Sequence, residues 1–179
     1  MSTTWEKVRT TKPRGLALIA SGLALFAIVA AWAFELIGGF KPCALCLTQR
    51  IPYYVGIPVL GAALVAASFA SRRAVFAALA AIASAVFVIG AGYGVYHSGV
   101  EWSFWPGPSA CGAAAEQPAS INDLLTQLET VEIIRCDEVQ GRFLGLSFAN
   151  YNVLTSLAVA LLSLWAAAKA YYGSSSVSQ

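Results

Sequence analysis

Apolar residues in this chain are gathered into four long runs, 16–37, 51–70, 74–96 and 148–168, and polar residues are mostly confined to the intervals between them. Each run is about 20 residues or longer, enough for a helix rising ~1.5 Å per residue to cross ~30 Å of hydrocarbon. A backbone inside lipid must satisfy its own hydrogen bonds, so helix is the expected form of each run. The first run is too long for a signal-peptide core, and the "GGFKPC" that follows does not read as a cleavage site. The expected fold class is therefore an all-α membrane protein, a four-transmembrane-helix bundle forming a single domain over residues 1–170. The remaining stretch, 171–179, reads as a polar tail.

The intervals differ in charge. Lys7, Arg9, Lys12 and Arg14 precede the first run, Arg72 and Arg73 fill the turn between the second and third, and Lys169 follows the fourth. All lie on one side, which the excess of Lys and Arg assigns to the cytoplasm together with both termini. The opposite side receives a short loop, 38–50, and a long one, 97–147, which between them hold all four cysteines: Cys43, Cys46, Cys111 and Cys136.

A loop of that length is too long for a passive connector. It opens with Trp102, Phe104 and Trp105, rings suited to the membrane–water interface. Pro106 and Pro108 then hold the chain extended into Cys111, as a segment lying in a partner's groove would be. Further on, Ile121, Leu124, Leu125, Leu128, Val131 and Ile134 recur at helical steps behind a Ser120–Asp123 capping pattern. This predicts a short amphipathic helix on the outer membrane surface. Within the runs, Gly90 and Gly94 have the G-x-x-x-G spacing that lets helices approach, and Pro58 is expected to kink the second span.

Composition agrees with the pattern. The 179 residues are 58% hydrophobic and only 11% charged, where soluble domains run near a quarter. A net charge of +2, without a basic face, gives no support to nucleic-acid binding.

The candidate chemistry lies in the cysteines. Cys43 and Cys46 form a C-x-x-C pair, a spacing in which the second thiol can resolve a mixed disulfide made by the first. Cys111 and Cys136 are 25 positions apart with no companion C-x-x-C, which argues against a tetrahedral metal site, so no metal is expected. Four cysteines allow three pairings, and sequence alone leaves them open. Arg50 follows Cys46 by four residues, so a helical turn would place both on one face, although Pro52 biases Ile51 away from helix. Such an arginine either snorkels or holds a polar ligand head. His97, the only histidine, ends the third run, and Glu35, near the outer end of the first, is read as reaching the headgroups.

The segments "PCALCLTQRIPYY", "GVYHSGVEWSFWPGPSAC" and "CDEVQGRFLGLSFANYN", set among four runs, resemble the DsbB family of bacterial inner-membrane proteins over nearly the whole chain. The resemblance implies an enzyme, a protein-disulfide oxidoreductase with quinone as electron acceptor. Its partner would be a periplasmic DsbA-like thiol oxidase, its cofactor ubiquinone or menaquinone, and its setting the inner membrane with the cysteine loops periplasmic. It implies redox roles for Cys111 and Cys136 toward the partner and for Cys43 and Cys46 toward quinone, with Cys46, Arg50 and His97 at the quinone. Gln49 departs from the family pattern, in which an acid often precedes the arginine. Two alternatives carry different expectations: a membrane scaffold braced by loop disulfides, and a vitamin K epoxide reductase-like protein, whose C-x-x-C lies late in its bundle.

Overall fold

The computed structural model describes residues 12–108, 135–139 and 141–175. Four long helices account for most of them: α1 (Pro13–Leu36), α2 (Ala44–Ala66), α3 (Arg73–Glu101) and α4 (Phe148–Ser175). A single 3-10 turn, Ala70–Arg72, joins α2 to α3. A two-stranded antiparallel ribbon, β1 (Arg142–Phe143) and β2 (Leu146–Ser147), leads into α4. The expected amphipathic helix at 120–134 and Cys111 lie outside the described residues; of the approach to Cys111, residues 106–108 are described and have no regular secondary structure.

The helices follow the apolar runs but overrun them. α2 starts at Ala44 and runs through Pro52 and Pro58, so the outer loop expected over 38–50 is shorter than its sequence suggested. α3 continues to Glu101 and takes His97 into its last turns, and α4 runs into the stretch read as tail. Among the described residues, α1, α3 and the Phe148–Tyr172 part of α4 are long and apolar enough to cross a membrane. α2 is long enough, at 23 residues, but not apolar enough.

Each helix packs on its sequence neighbour, and α4 also packs on α1, which closes the bundle. Alanines make this possible. Ala20 and Ala24 of α1, Ala83 of α3 and Ala160 of α4 are buried in a central layer around Leu60, Phe87 and Val159. A second layer joins Ala17, Ala63, Ala77 and Ala166 around Phe76. Small side chains let helix backbones approach where lipid supplies no hydrophobic drive. Large apolar side chains point the other way: Phe26, Val29, Ile89, Leu154 and Leu161 are all exposed on the outer face, as a lipid-facing surface requires.

Hydrogen bonds between helices add specificity. The Tyr53 hydroxyl on α2 lies 2.8 Å from Thr155 Oγ1 and 3.0 Å from Ser156 Oγ on α4. Ser84 Oγ donates to the Ala160 carbonyl, and Asn152 Nδ2 donates to the Gly90 carbonyl. The G-x-x-x-G expectation holds. A Cβ on Gly90 would meet Pro52 at 3.0 Å, and one on Gly94 would meet Val153 Cγ2 at 2.8 Å and its backbone nitrogen at 3.1 Å.

Gly94→Ala should therefore force α3 and α4 apart and destabilise the bundle by about 1–3 kcal/mol. Gly92→Ala, where a Cβ would meet nothing within 4 Å, should be neutral or stabilising. Thermal unfolding of both variants in detergent checks this; equal stability would show that the close approach is unimportant.

Candidate functional site

The site is built where α1 stops and α2 begins. α1 ends at Leu36, and the chain leaves it through Gly38 and Gly39, of which Gly39 takes φ +69°, a left-handed conformation natural to glycine. The chain then turns through Pro42 to Cys43, which is the N-cap of α2. Its sulfur does the work usually given to Ser or Asp: it accepts from the Cys46 backbone N–H at 3.3 Å. The C-x-x-C pair is thereby wrapped around a helix start, with Cys43 Sγ 3.0 Å from Cys46 Sγ. Three rings, Phe34, Phe40 and Phe148, pack edge to face and fix this turn to the start of α4.

Cys43 is buried among Leu45, Val100 and Cys136. Cys136 is itself disulfide-bonded, and its mate lies outside the described residues. Cys43 and Cys46 are both free thiols. A hydrogen bond from Cys46, aided by His97 and opposed by burial, holds the Cys43 thiol down to about 4. An ordinary thiol sits near 8.5, and a helix N-terminus is a place where thiolates are stabilised.

His97 stands on the same side. Its Nε2 is 3.7 Å from Cys43 Sγ, and its Nδ1 is 2.6 Å from Gln49 Nε2. Glu101, one turn further along α3, places Oε1 4.0 Å from His97 Nε2. Its side chain is 5% exposed, and Oε2 has no hydrogen-bond partner among the described residues.

Cys46 faces the other way, into a cavity of about 400 Å³ also lined by Glu35, Arg50, Tyr53, Phe143, Tyr151 and Thr155. Drug-sized ligands occupy pockets of this order. Arg50 does not snorkel. It is buried, with Nη1 2.6 Å from Glu35 Oε2 and its guanidinium 5.1 Å from the Trp32 ring centroid. Both partners come from α1, so a cation and its counter-charge are held together at the cavity wall.

The structure thus brings Cys43, Cys46, Cys136, Arg50 and His97 to one end of the bundle; Cys111 lies outside the described residues. Cys46 and Arg50 share the cavity as the four-residue spacing suggested, whereas His97 lies against Cys43 and is not among the residues lining the cavity. Sequence reasoning undervalued Glu35, which pairs with Arg50, and overlooked Glu101 as a site residue, although its position four after His97 is a helical-neighbour spacing. Nothing in the sequence showed that Gln49 would turn to His97. Trp102, Phe104 and Trp105 are all exposed, and Trp105 lies over Gly99 and donates to the Tyr96 carbonyl.

A thiol pair capping a helix at one end of an apolar helical bundle, between a disulfide and a cavity with a buried arginine, defines a class: multi-pass membrane proteins carrying dithiol chemistry at the membrane edge. The chain belongs to the DsbB family, matching the family described as "Disulfide bond formation protein DsbB" over residues 13–166. Two relatives named "Disulfide bond formation protein B" are similar along most of their length. The one from Saccharophagus degradans is 29% identical over 160 residues, covering 85% of this chain and 91% of its own. The one from Polaromonas sp. is 27% identical over 164 residues, covering 83% and 82%. "Uncharacterized protein RP370" of Rickettsia prowazekii is 22% identical over 159 residues, covering 88% and 89%. No solved structure matches the chain.

Because Cys43 is held down to about 4, one thiolate should persist from neutral pH to below about pH 5 and disappear only near pH 4. Thiolate ultraviolet absorbance of the reduced Cys111→Ser/Cys136→Ser double variant, followed against pH, measures this. Two sulfurs titrating together in the ordinary range near 8.5 would refute it.

Proposed function

We propose that this protein is a quinone-dependent protein thiol oxidase. It reoxidises a periplasmic DsbA-like thiol oxidase and passes two electrons to membrane quinone, in support of disulfide bond formation. The observation that carries this is the position of the Cys43–Cys46 pair, with Cys136 packed on one side and the Arg50 cavity on the other. Membership of the DsbB family supports the same reading. The Lys and Arg distribution supports both termini in the cytoplasm and the cysteines in the periplasm of a bacterial inner membrane, with α2 as a fourth span.

The steps balance as thiol–disulfide exchanges. A reduced partner gives two electrons and two protons to the Cys111–Cys136 disulfide and leaves oxidised. The loop dithiol then reduces the Cys43–Cys46 disulfide and is itself reoxidised. The buried Cys43–Cys136 contact suits that transfer, because exchange needs a sulfur within reach of the attacker. The Cys43–Cys46 dithiol finally closes to a disulfide as its two electrons and two protons leave on the cavity side, where Cys46 is exposed to the acceptor.

The residues lining the cavity fit a quinone head: an apolar and aromatic wall, the cations Lys41 and Arg50, and hydroxyls on Tyr53, Tyr151 and Thr155. A bound quinone supplies a two-electron acceptor whose oxygens gain negative charge. Arg50 offers a planar, permanently charged donor to such oxygens, in surroundings where water is sparse. Glu35 keeps that guanidinium paired when no ligand takes its donors, since a buried cation without a partner is costly.

Arg50→Ala should lower steady-state quinone reduction by about 100- to 1,000-fold, the range for loss of one donor to developing negative charge. Single-turnover oxidation of the partner should be spared. Glu35→Gln/Arg50→Ala, which removes the stranded carboxylate, separates this effect from misfolding. An equal fall in both measurements, or in neither, would make Arg50 a structural anchor.

Cys136→Ser should accumulate a covalent complex between Cys111 and the partner, because the resolving thiol is gone. Non-reducing electrophoresis with a reduced DsbA-like protein detects it. A complex formed only through Cys43 or Cys46 would reverse the order of the two pairs.

A further inference from the structure

We propose that the reduced Cys43–Cys46 pair and His97 also form a binding site for a thiophilic divalent cation such as Zn2+, with Glu101 as its fourth ligand, and that occupancy locks the thiols against oxidation. The two sulfurs and a ring nitrogen of His97 all lie within 4.8 Å of one another. Tetrahedral zinc with sulfur at about 2.3 Å and nitrogen at about 2.0–2.1 Å needs an S···N separation of roughly 3.6 Å and an S···S separation of roughly 3.8 Å. Cys43 Sγ and His97 Nε2 are already 3.7 Å apart. The sulfurs, at 3.0 Å, need only open slightly.

Glu101 is the independent pointer to a cation. A carboxylate that is nearly fully buried is costly unless something positive meets it; in the metal-free protein the His97 ring, when protonated, faces Oε1, and Oε2 has no hydrogen-bond partner among the described residues. Its other oxygen is 4.0 Å from His97 Nε2; Glu101 stands just outside the cluster of Cys43, Cys46 and His97, and its side chain must turn toward the sulfurs to become the fourth ligand.

The surroundings also suit a metal. Ligating histidines almost always engage their second nitrogen with a hydrogen-bond partner, and here Gln49 lies 2.6 Å from Nδ1. For Nε2 to coordinate, Nδ1 carries the ring proton and the Gln49 amide presents its oxygen, a half-turn that exchanges two atoms of equal size. Leu45 and Val100 cover the Cys43 side of the site.

The site is gated by redox state. Zn2+ binds the Cys43 thiolate and displaces the Cys46 thiol proton, and no electron moves, whereas a Cys43–Cys46 disulfide has no thiolate to offer. Metal binding and oxidation of the pair are therefore mutually exclusive. None of this depends on the identity of the electron acceptor or of the partner protein.

The test uses full-length Cys111→Ser/Cys136→Ser protein in detergent, so that one thiol pair is present, reduced with a phosphine that is then removed without air. Co2+ alone is the spectroscopic probe and Zn2+ the competitor. The expected result is one Co2+ per chain, thiolate-to-metal charge-transfer absorption, visible bands of tetrahedral intensity, and displacement by one equivalent of Zn2+. The oxidised protein should show none of these. His97→Ala and Glu101→Gln should each weaken binding at least about tenfold, and Gln49→Ala about 10- to 100-fold without touching a ligand. Should the variants fold poorly, X-ray absorption of the Zn2+-loaded parent counts neighbours directly: two sulfur and two nitrogen or oxygen atoms are expected. No binding, equal binding by oxidised protein, or a sulfur-only shell indifferent to His97 and Glu101 overturns the proposal. A chain that reduces quinone but holds no Co2+ defeats this inference alone; one that holds Co2+ but reduces no quinone defeats only the proposed function.

Discussion

The rest of the site depends on a sulfur acting as a helix cap. Cys43 accepts the Cys46 N–H and so starts α2 at the thiol pair itself. Once the helix begins there, its pitch fixes the remainder: Cys46 lies beside the cap, Arg50 one turn further along the cavity wall, and Gln49 toward α3. The cap also sets the charge, because a sulfur at a helix N-terminus, bonded by its neighbour, is stabilised as thiolate. One local bond thus links backbone geometry to redox chemistry at the thiol pair.

The bundle is a division between two kinds of surface. Its inner layers are alanine, glycine and a few hydroxyls, and its outer face carries Phe26, Ile89, Leu154 and their like. In water that arrangement would be inside out. In lipid it is favourable, since apolar side chains cost nothing on the outside and small ones inside allow the Tyr53, Ser84 and Asn152 hydrogen bonds to form. The polar end is built on this scaffold. Arg50 and Glu35, each costly alone, enter as a pair.

Much of this was legible in the sequence, for identifiable reasons. Helical spans announce themselves by length and apolarity, so α1, α3 and α4 were recoverable to within a few residues at most of their ends. The Cys46–Arg50 juxtaposition followed from a four-residue spacing, and the Gly90–Gly94 approach from another. What escaped was tertiary. The helical start at Ala44 was obscured by Pro52, because the local bias of a proline says nothing about the packing that overrides it. Glu35 looked like a headgroup contact until α1 and α2 were laid side by side. Position at the end of a run could not say whether His97 would face lipid, the cavity or Cys43; that depended on the rotation of α3 set by its glycines.

The limited apolarity of α2 bears on how the chain enters the membrane. A segment with Gln49, Arg50 and two prolines is a poor independent candidate for partition into lipid. It is tied to the strongly apolar α3 by one short 3-10 turn bearing Arg72 and Arg73. In the topology proposed above, α3 supplies the drive for insertion and α2 enters with it as the other arm of a hairpin. The same residues that place Arg50 and Gln49 at the thiol end lower the apolarity of α2 and leave it dependent on its successor for entry into lipid.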